Sequence, residues 1–373
     1  MRYDFLLVGA GLFNAAFAAL AREAGKSCLV VEKRSHIAGN IYTENVDNIH
    51  IHQYGAHIFH TDDQECWEFV NRFARFNRYT NSPVAQIDGK LFNLPFNMNT
   101  FHAIWPDVIT PEQAQKRIAE QAAEMAGKIP QNLEEQAISL VGRDIYSLLI
   151  KGYTEKQWGR PCSQLPPEII KRLPLRFTYD NNYFNDRFQG IPLGGYTAMI
   201  ERMFGDTEIH LSCDFLSARN ELSNLAKTVI YTGTVDSYFD YCFGELEYRS
   251  LRFETVKTAC QNQQGVAVVN YTSASVPYTR IIEHKHFEVE NHAGFNAPYT
   301  FITREYPADW KRGDEPYYPV NDQRNSEIYQ KYYELAQKEK NVIFGGRLGM
   351  YRYFDMDDTV IAAINCFKQQ VTI

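Results

Sequence analysis

The sequence predicts an α/β fold in which a parallel nucleotide-binding sheet is completed by segments far apart in the chain. Three features predict this class: a strand, glycine turn, helix and second strand in the first 32 residues, helical periodicity over residues 110–159, and strand patterns over residues 249–306. A chain of 373 residues, 45% of them hydrophobic, is long enough to form two or three domains.

The first element is an apolar strand that begins near Tyr3 and breaks at the Gly9-Ala10-Gly11 turn. A helix is predicted from about Leu12 to Ala24, where Gly25 ends it, and a second strand ends in Glu32. The glycines let a pyrophosphate approach the helix N-terminus, and an acid about 20 residues later commonly binds ribose hydroxyls. This order of elements predicts a dinucleotide site. An ordinary βαβ unit with a chance G-x-G is the alternative.

Asn14 departs from the usual pattern, because it stands where the third fingerprint glycine lets helix and strand pack closely. An asparagine fits there only if the helix stands off slightly or if its amide finds a hydrogen-bond partner. We therefore expect a strained but tolerated variant of the motif.

The segment after the second strand helps to distinguish between dinucleotides. Arg34, Gly39 and Asn40 resemble the arginine and glycine loop of large flavoproteins of the amine-oxidase type, which favours FAD over NAD. Residues 341–367 predict a strand, a glycine turn and a helix, like the last strand and helix that pass beneath the flavin in such proteins. Asp358 then lies in the first turn of that helix, where a carboxylate suits the helix dipole.

Composition excludes several classes of partner. The formal net charge of −7, from 38 basic and 45 acidic residues, gives no general attraction to nucleic acid or anionic lipid. Seven cysteines are scattered singly, which disfavours a zinc site and a disulfide framework and fits reduced cytoplasmic thiols. No signal peptide is evident, and the apolar run over residues 5–21 contains two glycines and Asn14, so no membrane insertion is expected.

The middle of the chain divides into a helical part and a strand-rich part. Residues 110–128 and 132–159 have helical periodicity, and Thr110-Pro111 makes a good N-cap and first helical position. A largely antiparallel sheet is predicted by four strand patterns, over residues 251–258, 266–272, 279–289 and 299–307.

Two histidine pairs could suggest a metal. His57 and His60 flank an apolar pair, and His284 and His286 lie on one face of the strand predicted over residues 279–289. Neither pair has an evident third ligand, so we interpret the first as core or flavin-stacking residues and the second as cross-strand packing. No metal site is predicted.

The aromatic residues indicate what kind of ligand the chain binds. They make up 14% of the chain, and Tyr and Trp concentrate in loops that also carry arginines. Aromatic rings stack on bases, and guanidinium groups and phenols bind diphosphates, which predicts a nucleotide sugar. Taken singly, most of these residues fit an ordinary core or surface equally well.

An ordered set of strings carries a more specific resemblance. It comprises "FNLPFNMNTF", "EEQAISLVG", "KGYTEKQWG", "DNNYF", "PYTRIIEHKHF" and "PYYPVND". In this order they resemble bacterial UDP-galactopyranose mutases, and the resemblance runs from Tyr3 to about Ala363. The chain departs from the family at Asn14 and at Ala38, which stands in the usual I-G-G-N stretch.

The resemblance implies an isomerase that interconverts UDP-galactopyranose and UDP-galactofuranose and supplies galactofuranose for cell-surface polysaccharide. It implies FAD that is active when reduced, with N5 as covalent nucleophile, a reductant such as NAD(P)H, and a homodimer. The alternatives are an FAD-dependent oxidoreductase of the amine-oxidase type and a non-catalytic nucleotide-sugar binder.

The resemblance also implies roles for individual residues. Tyr153 and Trp158 hold the uridine, Arg172 and Arg280 neutralise the diphosphate, and Arg172 lies on a segment that closes as a lid. The other expected substrate-binding residues are Tyr183, Asn81, Arg249, Tyr318 and Tyr353. The expected catalytic set is Arg172, Arg280, His57, His60 and Arg347. The expected cofactor-binding set is Gly9, Gly11, Leu12, Phe13, Glu32, Lys33, Arg34, Gly39, Asn40, His57, Ile58, Arg347, Asp355 and Met356.

The expected architecture has a discontinuous Rossmann-like FAD-binding domain with two insertions. Residues 1–80, 190–245 and 325–373 form the FAD-binding domain. Residues 95–180 form a helical domain with a mobile lid. Residues 81–94, 181–189 and 246–324 form a mostly antiparallel sheet domain.

Overall fold

The computed structural model describes residues 2–170 and 175–371, and the chain divides into two compact units. Unit 1 comprises Met1–Arg78, Asp186–Arg249 and Arg312–Ile373, and unit 2 comprises Tyr79–Asn185 and Ser250–Lys311. The predicted helical and sheet segments both lie mainly in unit 2. Their division into separate domains stays a prediction.

The strands are β1 (Tyr3–Val8), β2 (Cys28–Val31), β3 (Thr43–Val46), β4 (Ile49–His52), β5 (Phe59–Thr61), β6 (Val84–Ile87), β7 (Lys90–Asn93), β8 (Phe188–Gly190), β9 (Glu208–His210), β10 (Ala226–Tyr231), β11 (Tyr248–Thr258), β12 (Val268–Tyr271), β13 (Arg280–Glu283), β14 (Thr300–Asp309), β15 (Tyr318–Pro319) and β16 (Val342–Phe344).

The α-helices are α1 (Leu12–Glu23), α2 (Gln64–Asn71), α3 (Met98–Ile104), α4 (Pro111–Ala122), α5 (Leu133–Ile145), α6 (Lys151–Trp158), α7 (Gly195–Phe204), α8 (Arg219–Ser223), α9 (Val235–Tyr238), α10 (His292–Phe295), α11 (Gln323–Ala336), α12 (Gly346–Gly349) and α13 (Met356–Val371).

Unit 1 is built on a five-stranded parallel sheet in the order β16-β10-β1-β2-β9. Alternate side chains of β1 point to opposite faces, so Phe5 and Leu7 join a core with α1, α7 and α13 while Leu6 and Val8 join a second core. Both faces of the sheet are therefore covered, as a Rossmann-like fold requires. The predicted strand, helix and strand at the N-terminus are confirmed to within a residue or so.

Unit 2 contains a sheet in the order β11-β14-β13-β12-β6-β7 and helices α3 to α6 with α10. β12 pairs antiparallel with β13, as β13 does with β14 and β6 with β7, whereas β12 and β6 run parallel. The mostly antiparallel sheet is confirmed.

The predicted helix over residues 132–159 is broken twice. Gly142 has non-helical φ and ψ values of 79° and 170°, and a π-helical turn at Tyr146–Ile150 separates α5 from α6. A side chain at Gly142 would place its Cβ 2.9 Å from the Gln121 side chain, so the close approach of α4 explains the glycine. The neighbouring prediction, that Thr110 and Pro111 begin a helix, is confirmed by a capping box between Thr110 and Gln113.

The strand predicted over residues 279–289 is wrong in its second half. β13 ends at Glu283, and His284–Phe287 form a 3₁₀ turn, so His284 and His286 do not share a strand face. The buried Glu283 carboxylate accepts the backbone N–H groups of Gln263 and Gln264. Inside the turn, the ammonium of the buried Lys285 donates to the carbonyl oxygens of Gln261 and Ala297. A buried charge needs such partners, and this requirement prevails over the strand-like hydrophobic pattern.

The described residues show how potential metal ligands, apolar helices and cysteines are arranged. In the described ranges, no cluster of His, Cys, Asp or Glu could hold a metal ion. No helix in the described part of the chain is both long and apolar enough to cross a bilayer. All seven cysteines are free thiols.

Acid is expected to destabilise the fold through His284. The ring is buried, with Nε2 2.6 Å from Thr303 Oγ1, and burial lowers its pKa to about 3 from an ordinary value of 6.5. Between these values the unfolded chain binds a proton that the folded chain does not, so stability is lost as the pH falls below 6.5. Going from pH 7.5 to pH 5 should therefore cost about 2 kcal/mol of unfolding free energy through this residue.

Urea unfolding at both pH values, compared between wild type and His284→Gln, measures this contribution. The variant should lose about 2 kcal/mol less than wild type on acidification. The exposed His102→Gln is the matched control and should follow wild type. Equal acid dependence in wild type and His284→Gln would contradict a neutral buried His284.

Candidate functional site

The glycine turn after β1 leaves the start of α1 open. Gly9 has a φ of +99°, and a Cβ there would lie 2.4 Å from Thr232 Oγ1, so glycine is required. Gly11 is the N-cap of α1, and apart from its chain neighbours and the backbone of the helix no described atom comes within 4 Å of the place where its Cβ would stand. Free backbone N–H groups at an open helix N-terminus suit a phosphate group.

Glu32 holds this turn in place. Its buried carboxylate accepts the backbone N–H of Ala10 at 2.7 Å through Oε2 and that of Arg34 at 2.9 Å through Oε1. Each carboxylate oxygen keeps a further lone pair, so the acid can still accept a hydroxyl hydrogen bond from a ribose. Glu32, which is predicted to bind the ribose, therefore also positions the turn that would hold the pyrophosphate.

The Nδ2 group of Asn14 has the hydrogen-bond partners that an asparagine needs at this position. The side chain is fully buried, and its Nδ2 donates to the carbonyl oxygens of Val8 and Gly9, both at 2.9 Å, and lies 3.4 Å from Thr232 Oγ1. Thr232 Oγ1 itself donates to the Val8 carbonyl at 2.7 Å. The amide therefore ties α1 to the carboxyl end of β1, which compensates for the missing glycine.

A second loop packs against the first. The Ala38 N–H donates to the Ala10 carbonyl at 2.8 Å, and a Cβ at Gly39 would lie 3.2 Å from Gly11 Cα. Ala38 itself has a φ of 72°, in the left-handed region that glycine adopts more readily. The backbone geometry thus gives a physical reason for glycine at this position in the family pattern.

Arg34 is anchored on three sides beside these loops. Its Nη2 donates to Asn40 Oδ1 at 2.9 Å and to Glu315 Oε2 at 2.5 Å, and its guanidinium lies 4.7 Å from the centre of the Tyr54 ring. Burial alone would raise the pKa of the Glu315 carboxyl, but Arg34 and Lys33 reverse the shift and lower it. The Nη1 group of Arg34 is buried without a hydrogen-bond partner in the described part of the chain, so it still needs an acceptor.

The two histidines of unit 1 are held by different groups. The Nδ1 of His57 lies 2.8 Å from the Gly55 carbonyl, whereas the Nδ1 of His60 lies 3.0 Å from a carboxylate oxygen of Asp186. These contacts fix both rings and leave the expected roles of His57 and His60 as predictions.

The C-terminal part of unit 1 gathers several expected residues. The Tyr318 and Tyr353 rings stack with centroids 6.1 Å apart, and burial raises the pKa of Tyr353. Burial also raises the pKa of the neighbouring Asp355 carboxyl, which the charge of His60 opposes. Arg347 lies in α12, just after Gly345, whose missing Cβ leaves room for the Phe13 ring.

In unit 2, several of the residues expected to bind the substrate lie around Arg280. Its Nη2 donates to the Tyr153 hydroxyl at 2.5 Å, and its Nε lies 3.2 Å from the buried Glu305 carboxylate. Burial raises the pKa of Tyr183; Tyr153 adds to this rise and the charge of Arg280 opposes it, so all three groups are close in space. The Tyr183 N–H donates to the Asn81 carbonyl at 2.7 Å. A positive group among phenols, in partly buried surroundings, suits an anionic ligand.

Other expected residues take less informative positions. Trp158 ends α6 and packs on the hydrophobic core of the unit 2 helices, and Arg249 pairs with Tyr318 across β11 and β15. Ile58 precedes β5, and Met356 begins α13 with Asp357 and Asp358 in its first turn, as predicted for Asp358. Arg172 lies outside the described residues.

Sequence reasoning missed Glu305, Glu315 and Asp186. Glu305 stands opposite Arg280 in the β13–β14 register, so a cross-strand charge pair would have been visible once that register was known. Glu315 and Asp186 reach Arg34 and His60 across long stretches of chain, and no local signal in the sequence identifies them.

Comparison with known families identifies two matches. The family model for UDP-galactopyranose mutase matches residues 148–353, and that for an NAD(P)-binding Rossmann-like domain matches residues 7–73.

Relatives match over almost the whole chain. A probable UDP-galactopyranose mutase of Klebsiella pneumoniae is 40% identical over 97% of this chain and 93% of its own length. A dTDP-fucopyranose mutase of Escherichia coli is 37% identical over 97% of this chain and 96% of its own. Among solved structures, a reduced UDP-galactopyranose mutase superposes with a TM-score of 0.76 at 14% identity, covering 99% of this chain and 96% of that one.

Replacing Asn14 tests its tie between α1 and β1. Asn14→Ala removes two buried hydrogen bonds to carbonyl groups and should lower the free energy of unfolding by about 1–3 kcal/mol. The matched control is Asn71→Ala, which removes an exposed hydrogen bond to the Trp67 carbonyl and should change stability by less than about 0.5 kcal/mol. Chemical denaturation gives both values, and equal losses would show that Asn14 has no special structural role.

Proposed function

This chain belongs to the UDP-galactopyranose mutase family, and from that premise we propose that it interconverts UDP-galactopyranose and UDP-galactofuranose. The 40% identity to the Klebsiella relative over nearly the full length of both chains carries the proposal. The arrangement of Arg280 with Tyr153 and Tyr183 supports it, because a diphosphate needs a fixed positive group and hydrogen-bond donors.

We propose FAD as the resident cofactor. The open start of α1 beside Gly11 suits its pyrophosphate, Glu32 suits a ribose hydroxyl, and the buried Nη1 of Arg34 needs an acceptor. The remaining residues expected to hold it are Gly9, Leu12, Phe13, Lys33, Gly39, Asn40, His57, Ile58, Arg347, Asp355 and Met356. When bound and reduced, the flavin supplies a nucleophilic nitrogen, N5, for the anomeric carbon of the sugar.

The protein's own residues bind and orient the nucleotide sugar. Arg280 is held by Glu305 on one side and by Tyr153 on the other, so its charge is fixed before the diphosphate arrives. This preorganisation matters in a protein with a net charge of −7, because local cations must offset general repulsion of an anionic substrate. Arg172 would add a second charge from a closing segment and exclude water from the reacting sugar.

We expect a cytoplasmic homodimer that uses a reductant such as NAD(P)H, in keeping with its free thiols. An amine-oxidase-type oxidoreductase shares the fold, and a putrescine oxidase superposes with a TM-score of 0.55. At 12% identity, that likeness supports the fold alone.

An anaerobic assay tests the function. Purified protein loaded with FAD is incubated with UDP-galactofuranose, with and without dithionite, and the products are separated by chromatography. We expect conversion to the pyranose form only with reduced enzyme. dTDP-fucofuranose is assayed in parallel, because one relative is a dTDP-fucopyranose mutase, and preferential turnover of it would overturn the proposed substrate. Substrate oxidation without isomerisation would favour the oxidoreductase.

Replacement of Arg280 tests its role in binding the diphosphate. Arg280→Lys keeps the charge but loses the planar set of donors, and we expect a fall of about tenfold to hundredfold in kcat/KM. Arg304→Lys, on β14 and paired with Glu254, is the matched control and should retain wild-type kinetics. A near-normal kcat/KM for Arg280→Lys and for Arg280→Met would refute the assignment.

A further inference from the structure

Helix α6 of unit 2 packs unusually closely on the turn between β12 and β13, residues 272–279. A Cβ at Gly152 would stand 2.2 Å from the Thr272 carbonyl oxygen and 3.2 Å from the Ala274 nitrogen, so only glycine permits this approach. The Thr272 hydroxyl donates to the Leu148 carbonyl at 2.8 Å, in the turn just before the helix. The contact is therefore made by backbone as well as side chains.

Lys156 fastens this contact. Its Nζ donates to the carbonyl oxygens of Tyr271 at 2.7 Å, Val276 at 3.0 Å and Tyr278 at 3.0 Å. These three carbonyls lie just before the turn, in its middle and near its end, so one ammonium group contacts the turn along most of its length. Burial lowers the pKa of Lys156 to about 8, because the cation is partly removed from water.

Ammonium chemistry suits this position. An ammonium has three N–H donors in a tetrahedral arrangement, so each can point at a different carbonyl. A guanidinium presents its donors in one plane and fits a carboxylate or phosphate better than three converging carbonyls. The residue type therefore matches a structural clamp on backbone groups rather than a contact with a phosphate.

Lys156 joins α6, which carries Tyr153, to the turn that leads into Arg280. Tyr153 lies three residues before Lys156 on α6, and Arg280 is the first residue of β13, directly after the turn. The Tyr153 hydroxyl accepts the 2.5 Å hydrogen bond from Arg280. The turn leads directly into Arg280, and α6 carries Tyr153. A small shift of the turn relative to α6 would therefore break that bond.

We propose that Lys156 is a positioning residue that locks α6 to the 272–279 turn and thereby sets the Tyr153–Arg280 pair for binding UDP. The proposal rests on the proposed function for its ligand. It assigns Lys156 no contact with substrate, so its effect on binding passes through the Tyr153–Arg280 pair.

A double-mutant cycle tests this route. UDP affinity is measured by titration calorimetry on FAD-loaded wild type, Lys156→Met, Tyr153→Phe and the double variant. We expect Lys156→Met to raise the Kd for UDP about tenfold, and to add less than about twofold in the Tyr153→Phe background. Lys151→Met, an exposed lysine on the same helix, is the control and should leave the Kd unchanged.

Amide hydrogen exchange gives a readout that does not depend on the ligand. The N–H of Tyr271 donates to the Thr279 carbonyl and that of Thr272 to the Gln86 carbonyl, and both should exchange about tenfold faster in Lys156→Met. If the methionine variant does not fold, Lys156→Arg replaces it, with a smaller loss of UDP affinity and of amide protection expected.

The outcomes separate the proposal from the function on which it rests. Unchanged exchange in the turn, or an equal tenfold loss of UDP affinity with and without the Tyr153 hydroxyl, would overturn the positioning role. Wild type that neither binds UDP nor isomerises the sugar would overturn the proposed function and the ligand assigned to the pair. Turn exchange would then report only whether Lys156 holds the loop.

Discussion

The hydrogen bonds that the Glu32 carboxylate accepts from two backbone N–H groups are the constraint on which the nucleotide half of unit 1 depends. One buried carboxylate accepts from Ala10 in the glycine turn and from Arg34 in the next loop, so both loops are placed by the same acid. Asn14 and Ala38 add further bonds to the same backbone. The departures from the usual glycine pattern are therefore absorbed locally and leave the start of α1 open.

Unit 2 also contains charged side chains that are held by backbone groups, and here both cations and a carboxylate are held in this way. Lys156 and Lys285 are solvated by backbone carbonyl groups, and Glu283 by backbone N–H groups. Each buried charge thereby determines the shape of a loop or turn, since its partners must converge on one point. In both units, irregular segments next to the expected ligand groups are ordered by charged side chains within the protein.

Local patterns predicted the early part of the chain well. β1, α1 and β2 follow directly from hydrophobic periodicity and glycine position, and the Thr110 cap follows from local hydrogen bonding. The 3₁₀ turn at His284–Phe287 was not predictable, because the carbonyl partners of its buried Lys285 lie 12 and 24 residues away. Glu305 and Glu315 were missed for the same reason, because their partners are far away in the sequence. Tyr153, Tyr183 and Arg280 were found through resemblance to a family, and their grouping in space came from the structure.

The strand order of unit 1 has a consequence for how the protein is made. β1 lies at the centre of the parallel sheet, yet its neighbour β10 begins at Ala226, and the edge strand β16 begins at Val342. During translation, β1 is therefore made long before β10, its partner on that side. The sheet is completed only when β16 is made, and until β10 is made one edge of β1 keeps unpaired backbone N–H and C=O groups that are open to pairing with another chain.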